Sequence, residues 1–285
     1  MQIKEVMRKG MIKLKTNGIQ EPNLKSRLLM QYILNRPREY LLVHDDKQLT
    51  LRQEVNYFKA IKKLLDGVPL QHITHRQEFM KLMFYVDENV LIPRPDTEIL
   101  VEEVIKIAKK INAKKILDLC TGSGAIAISL AKYIEGSQIT ATDISRKALS
   151  IAKLNAANNN VEDKITFVSS NLFQNIPEEK YDIIVSNPPY IKRKVIEKLD
   201  KEVKKEPIIA LDGGNDGLEF YKKIVDNAYE YLKYKGYLCL EIGYDQKDEV
   251  TKLIENEGKY IDTYSKKDLF DNDRIIITKL GILTN

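Results

Sequence analysis

The chain has 285 residues, 43% of them hydrophobic, enough for one large and one small folded unit with a sizeable core. Forty-six Lys and Arg against 41 Asp and Glu leave a net charge of only +5, which fits brief contact with an acidic partner such as the ribosome and argues against a dedicated nucleic-acid binder. No apolar h-region follows the opening "MQIKEVMRKGMIKLK" and nowhere do 18 apolar residues run together, so a cytoplasmic protein without a membrane span is expected.

Residues 1–75 read as a small helical domain. Apolar positions recur at helical spacing in "LKSRLLMQYIL" and "VNYFKAIKKLL", and the pattern breaks at "NGIQEPN", "NRPREY" and "LDGVP". Residues 76–95 contain "EFMKLMFYVDENVLIPRP", whose aromatic and aliphatic residues around "DEN" predict a β-hairpin linker. From residue 96 to 285 helices and strands alternate. The strands are "KKILDLC", "QITATDI", "ITFVSSN", "YDIIVSN", "GYLCLEIG", "YIDTYSK" and "RIIITKL". Such alternation predicts an α/β domain with a mostly parallel, seven-stranded sheet covered on both faces. Helices are predicted over "GLEFYKKIVDNAYEYLK" (217–233), and over "KRKVIEKLDKEVKKE" (192–206) as a solvated, charge-alternating segment.

Cys120 and Cys239 lie in apolar strand runs and read as small buried thiols. His72 and His75 have no partner Cys or third His nearby in sequence, so no metal is expected.

In open sheets of this kind ligands bind beyond the carboxyl ends of the strands. The first strand of the alternating region ends in "LDLCTGSGAIA", where Gly122 and Gly124 let the chain turn sharply ahead of a helix N-terminus. Alone, this loop with Asp143 in "ATDIS" serves a dinucleotide as well as it serves S-adenosylmethionine. Asp118, four residues before Gly122, tips the balance: a carboxylate there suits a cationic ligand better than phosphates, and Asp143 suits two ribose hydroxyls. An ordinary N-cap role for Asp143 competes, though Ser145 is a candidate for that cap too.

The stretch "VSNPPYI" adds chemistry that a dehydrogenase would not need. Pro188 and Pro189 stiffen the chain and lack N–H donors. Asn187 can offer its side-chain oxygen, Pro188 its carbonyl and Tyr190 a ring face, together a receptor for a planar NH2 group on an amide or a nucleobase. Simple turn chemistry with a core tyrosine is the plain alternative.

"LDLCTGSGAIAI", "ATDIS" and "VSNPPYI", taken with "GVPLQHITHRQEFMKLMFYV", "LIPRPDTEILVE" and "EPIIALDGGNDGLEFYKKI", resemble the peptide-chain release factor glutamine methyltransferases. Those are class I, Rossmann-like methyltransferases with an N-terminal helical bundle and a hairpin linker, so the resemblance spans nearly the whole chain. It implies methylation of the glutamine amide in the Gly-Gly-Gln motif of class I release factors, with S-adenosylmethionine converted to S-adenosylhomocysteine. It further implies that Cys120, Thr121, Gly122, Ser123 and Gly124 hold the methionine part of the cofactor, with Asp118 beside them and Asp143 on the ribose. Asn171 and Leu172 would lie near the adenine, and Asn187, Pro188, Pro189 and Tyr190 would bind the target glutamine. Many relatives carry Asp where this chain has Asn171, and some carry Trp where it has Leu172. A monomer with no stable nucleic-acid partner is expected. The alternatives are a glutamine of a ribosomal protein, an adenine or guanine amine of nucleic acid, and a non-catalytic binding module.

Overall fold

The computed structural model describes residues 1–281, which divide into two compact units. One comprises Met1–His75 with Asp200–Lys205; the other comprises Arg76–Leu199 and the chain from Glu206 onward.

The helical unit holds α1 (Ile3–Thr16), α2 (Pro22–Leu34), α3 (Arg38–Val43), α4 (Leu51–Leu65) and α5 (Leu70–Thr74). Thr50 caps α4 by accepting from the Gln53 N–H while the Gln53 side chain accepts from the Thr50 N–H, a reciprocal capping box. Ile3, Val6, Leu14, Leu29, Met30, Ile61 and Leu64 form the core, with Tyr57 buried among them and its hydroxyl 2.7 Å from Ser26 Oγ. The segment 192–206 is not the single helix expected. It forms a four-residue α9 (Arg193–Ile196) and, further on, a short 3-10 turn over Val203–Lys205. Its residues 200–205 group with the helical unit, where Glu202 pairs with Lys25 at 2.7 Å. Tertiary pairing of this kind overrides the helical tendency of an isolated charged stretch.

The larger unit opens with a hairpin of β1 (Gln77–Phe79) and β2 (Leu82–Phe84). There follow α6 (Pro95–Ile111), β3 (Lys115–Leu119), α7 (Ala125–Tyr133), β4 (Gln138–Asp143), α8 (Arg146–Asn158), β5 (Ile165–Ser169) and β6 (Tyr181–Ser186). Beyond α9 come α10 (Glu219–Ala228), β7 (Leu232–Glu241), α11 (Lys247–Glu257), β8 (Tyr260–Lys267) and β9 (Asp273–Leu280). The helix expected over 217–233 is shorter because its last turn is taken by the sheet: the Tyr181 N–H bonds the Tyr231 carbonyl and Leu232 pairs with Tyr181.

Among the described residues the main sheet has seven strands in the order β5-β4-β3-β6-β7-β9-β8, with β9 antiparallel to both its neighbours. Alternate residues of each strand feed opposite cores. Ile116, Ile183 and Val185 pack with α6, α7 and α8, while Leu117, Ile184 and Leu238 pack with α10 and α11. This is the class I methyltransferase fold. Chain order reverses around β3, which sits between β4 and β6, so a crevice forms at the carboxyl ends of these strands. The register brings Leu119 opposite both Thr142 and Ser186, which aligns the ends of all three.

Candidate active site

A cavity of about 290 Å³ opens at these strand ends. The loops after β3, β4, β5 and β6 contribute Cys120 and Gly122, Asp143, Asn171 with Leu172, and Asn187 with Pro189. Seven residues singled out in the sequence thus meet in one crevice although they span nearly 70 positions of chain.

The turn after β3 is built from internal hydrogen bonds. Gly122 and Gly124 have φ of 55° and 83°, the left-handed region where glycine carries no Cβ penalty, and Cys120 is also there at 61°. The Thr121 N–H donates to the Thr142 carbonyl at 2.8 Å, the Gly124 N–H to the Thr121 carbonyl at 2.8 Å, and the Gly122 N–H to Asp143 Oδ2 at 2.9 Å. Asp118 completes the turn and does not face a ligand as expected. It is fully buried, and its Oδ2 accepts from the Thr121 hydroxyl at 2.6 Å and from the Ala127 N–H of α7 at 3.2 Å. Burial pushes its carboxyl up to about 7, against the pull of those two donors, and Oδ1 is buried without a partner. Thr121 and Ser123 are likewise buried and shape the turn; the Ser123 carbonyl accepts from Asn155 Nδ2 at 2.9 Å.

This wiring bears on ligand class. A dinucleotide needs free backbone N–H groups at the loop and helix terminus for its phosphates. Here three loop N–H groups and that of Ala127 are already engaged, the last by the buried Asp118 carboxylate. Asp143 retains acceptor capacity, since its two oxygens take backbone N–H groups alone, Oδ1 that of Ser145 at 2.8 Å and Oδ2 that of Gly122 at 2.9 Å, with the Ile144 N–H beside them. Two lone-pair sites on a half-buried carboxylate match a vicinal diol. Burial raises the Asp143 carboxyl above its ordinary range, countered by the backbone donors. Ser145, not Asp143, caps α8, accepting from the Ala148 N–H at 3.2 Å. The residues present therefore fit S-adenosylmethionine better than NAD.

After β5, Ser170 holds the next loop by donating to the Leu172 carbonyl at 2.7 Å and accepting from the Asn175 N–H at 3.1 Å. Leu172 is thereby fixed at a φ of 50°, a strained value for a leucine, with Asn171 exposed at the cavity wall.

After β6, Asn187 is half-buried and its Nδ2 donates to Thr97 Oγ1 of α6 at 3.2 Å. Pro188 is buried beside it. Tyr190 departs from expectation: it lines a neighbouring cavity of about 310 Å³ with Lys192, Tyr244, Gln246 and Arg274, not the crevice that holds Asn187. Its hydroxyl donates to Glu241 Oε1 at 3.3 Å, and its carbonyl accepts from Gln246 Nε2 at 3.0 Å. Burial drives the Tyr190 phenol well above its usual range.

Sequence reasoning missed the supports around these residues. Each polar residue of "RPDTE" ties in a distant segment: Arg94 pairs with Glu206, Asp96 lies 3.4 Å from Arg274, Thr97 takes Asn187, and Glu98 accepts from the Met80 N–H at 2.6 Å. Glu206 is buried, also takes the Ile92 N–H at 2.9 Å, and so anchors the segment from which Pro207, Ile209 and Ala210 line the cavity. The dense mix of charge and proline in that motif was the available signal.

Comparison with known proteins agrees with the geometry. Residues 5–74 match the family model described as "PrmC N-terminal domain" and residues 95–210 match "Methyltransferase small domain". A protein of Clostridium acetobutylicum named "Release factor glutamine methyltransferase" is 39% identical over 99% of both chains. One of the same name from Fusobacterium nucleatum is 39% identical over 98% of this chain and 79% of its own. A "Bifunctional methyltransferase" of Rickettsia bellii is 38% identical, but this chain spans only 54% of its length. Among solved structures, a methyltransferase from Pyrococcus furiosus aligns over 82% of this chain and all of its own with a TM-score of 0.53 at 16% identity. A ribosomal protein L11 methylase from Lactobacillus delbrueckii subsp. bulgaricus aligns over 73% of this chain and 98% of its own with a TM-score of 0.50 at 19% identity. Both are likenesses of fold.

Proposed function

The chain belongs to the release factor glutamine methyltransferase family, and from that membership we propose that it methylates the side-chain amide nitrogen of the glutamine in the Gly-Gly-Gln motif of class I release factors. The observation that carries the proposal is Asn187. It stands in the wall of a crevice suited to S-adenosylmethionine, and its NH2 end is tied back to Thr97. The oxygen of its amide is left to accept from a substrate NH2.

S-adenosylmethionine would be the co-substrate, supplying an electrophilic methyl group on a sulfonium sulfur. Asp143 would hold its ribose diol, the Cys120–Gly124 turn its methionine end, and Asn171 and Leu172 its adenine. An amide nitrogen is a poor nucleophile because its lone pair is delocalised into the carbonyl. Acceptors at Asn187 Oδ1 and the Pro188 carbonyl would take both target N–H bonds, turning the nitrogen lone pair along the axis of the methyl group and excluding water from that side. With the target nitrogen so held by Asn187 and Pro188, the nitrogen–carbon bond would form as the carbon–sulfur bond breaks. The proton then leaves the cationic nitrogen, which is acidic enough to need no dedicated base.

The test is incubation of the protein with labelled S-adenosylmethionine and a class I release factor, wild type beside a version whose Gly-Gly-Gln glutamine is replaced. Label on the wild type alone is expected, with Asn187→Ala losing turnover while keeping cofactor affinity. Equal labelling of both release factors would refute the assigned position.

A further inference from the structure

Behind Asn187 lies a buried polar chain that the proposed reaction does not by itself use. Thr97 is 4% exposed, and Glu241, the last residue of β7, is 1% exposed. The Thr97 hydroxyl accepts from Asn187 Nδ2 at 3.2 Å on one side and faces the Glu241 carboxylate on the other, where it favours the ionised form. Glu241 Oε2 is buried without a hydrogen-bond partner and is open to accept the Thr97 hydrogen, while Oε1 takes the Tyr190 hydroxyl at 3.3 Å.

An asparagine amide has two ends of nearly the same shape and opposite hydrogen-bonding sense. Which end faces the crevice decides whether Asn187 accepts from a bound group or donates to it. We propose that Glu241, acting through Thr97, is a positioning residue that keeps the Asn187 oxygen turned toward the substrate. The proposal rests on the reading that Asn187 accepts from the target amide, and deepens it.

The logic is one of proton counting. An ionised carboxylate can only accept, and the threonine hydroxyl has one hydrogen to give. Once that hydrogen is directed to Glu241, the threonine oxygen can only accept, and Asn187 must present its NH2 to it. A neutral group at 241 removes the constraint. It can donate to Thr97, Thr97 can donate to Asn187 Oδ1, and the amide turns over, setting NH2 against NH2 in the crevice.

Glu241 is poised for such a change. Burial holds its carboxyl up to about 7, against the opposing pull of Thr97, Arg274 and Tyr190. The groups facing it are Thr97 and Asp96 from α6, Tyr190 from the loop after β6, and Arg274 from β9, which is itself paired with Asp268 at 2.9 Å. Tyr221 of α10 donates to the Glu241 backbone carbonyl at 2.9 Å and holds the main chain in place. Asp96 opposes ionisation and Arg274 assists it, so the balance sits near neutrality.

The experiment compares wild type with Glu241→Gln, Thr97→Val, Thr97→Ser and Asn187→Ala. It measures kcat, KM for the release factor, S-adenosylmethionine affinity by calorimetry, and the pH profile. Glu241→Gln and Thr97→Val are expected to lower kcat about a hundredfold, the scale for losing one oriented polar group at a reacting centre, with cofactor affinity held within about threefold. Thr97→Ser keeps the hydroxyl and restores turnover, which a purely packing role for the methyl group would not predict. Wild-type kcat should fall from about pH 8 to about pH 6, and Glu241→Gln should flatten that limb, separating it from any titration of Asp118.

A second readout needs no substrate. The side-chain 15N resonance of Asn187 should shift as Glu241 titrates in the wild type and stay still in Glu241→Gln. Wild-type turnover in Glu241→Gln, Thr97→Val matching Thr97→Ser, or an Asn187 resonance indifferent to position 241 would each overturn the relay. If wild type labels no release factor, or Asn187→Ala remains active, the substrate assignment fails and the resonance titration still decides the relay.

Discussion

Gly122→Ala and Gly124→Ala place the same methyl group two residues apart on one turn, and they should fail in different ways. At Gly122, where φ is 55°, nothing lies within 4 Å of the new Cβ, so the stability cost is the left-handed backbone term alone, about 1 kcal/mol. That open space belongs to the wall of the cavity, so the methyl intrudes where a ligand would lie. At Gly124, where φ is 83°, the Cβ would sit 2.8 Å from Ile128 Cδ1 and 3.1 Å from Ala152 Cβ, both in the packed interface of α7 and α8. Overpacking there adds about 1–3 kcal/mol to the backbone term, for a total of about 2–4 kcal/mol. A unit of this size loses about 2–4 °C in Tm per kcal/mol, so Gly124→Ala should melt roughly 10 °C lower and Gly122→Ala only a few degrees lower. Thermal unfolding and calorimetric titration with S-adenosylmethionine separate the two: Gly122→Ala should lose cofactor affinity at least tenfold with near-native stability. Should Gly122→Ala bind normally and melt as low as Gly124→Ala, the assignment of this turn to the ligand would be wrong.

Three further outcomes are expected. Asn171→Ala should weaken S-adenosylmethionine binding by about two- to tenfold, the worth of one neutral hydrogen bond, and an unchanged affinity would remove Asn171 from the site. Asp118, held at about 7 in the fold, keeps a proton that the unfolded chain releases near 3.9. Its contribution to stability therefore declines as pH rises from about 4 to about 7, and Tm measured without cofactor should be less pH-dependent across that window in Asp118→Asn than in wild type; a steeper dependence would contradict the sign. Glu206→Gln weakens the charged contacts to the Ile92 N–H and to Arg94, at about 1–2 kcal/mol after allowing for the part exposure of Arg94, and should lower cofactor affinity through the cavity segment it anchors. Native affinity in that variant would show that the segment holds its place without the pair.

The elements that carry the site were legible because their signals are local. "LDLCTGSG" announces a strand ending in a glycine turn, "ATDIS" a strand ending in an acid before a helix, and "VSNPPYI" a strand stopped by prolines. Alternation of strand and helix then implies that these ends share one edge, and Gly122, Asp143, Asn171 and Asn187 do line one crevice. Two boundaries were not legible. The helix over 217–233 ends early because Leu232 pairs with Tyr181, fifty-one residues away, and the segment 192–206 breaks up because part of it packs with the helical unit.

Side-chain direction was the other hidden quantity. The identity of Asp118 suggested a ligand contact, yet Thr121 and Ala127 turn it inward; Tyr190 reads as a wall for the target and instead reaches Glu241. Thr97, Glu206 and Glu241 are unremarkable in their own stretches and acquire meaning only from what folding places against them. The chain order of residue types determines where strands stop and which chemistry stands at each stop, since backbone propensity and hydrophobic period act over a few residues. Which end of the Asn187 amide faces the crevice, and where the Tyr190 hydroxyl goes, is decided by partners 90 and 51 positions away, and only the tertiary structure brings those partners within reach.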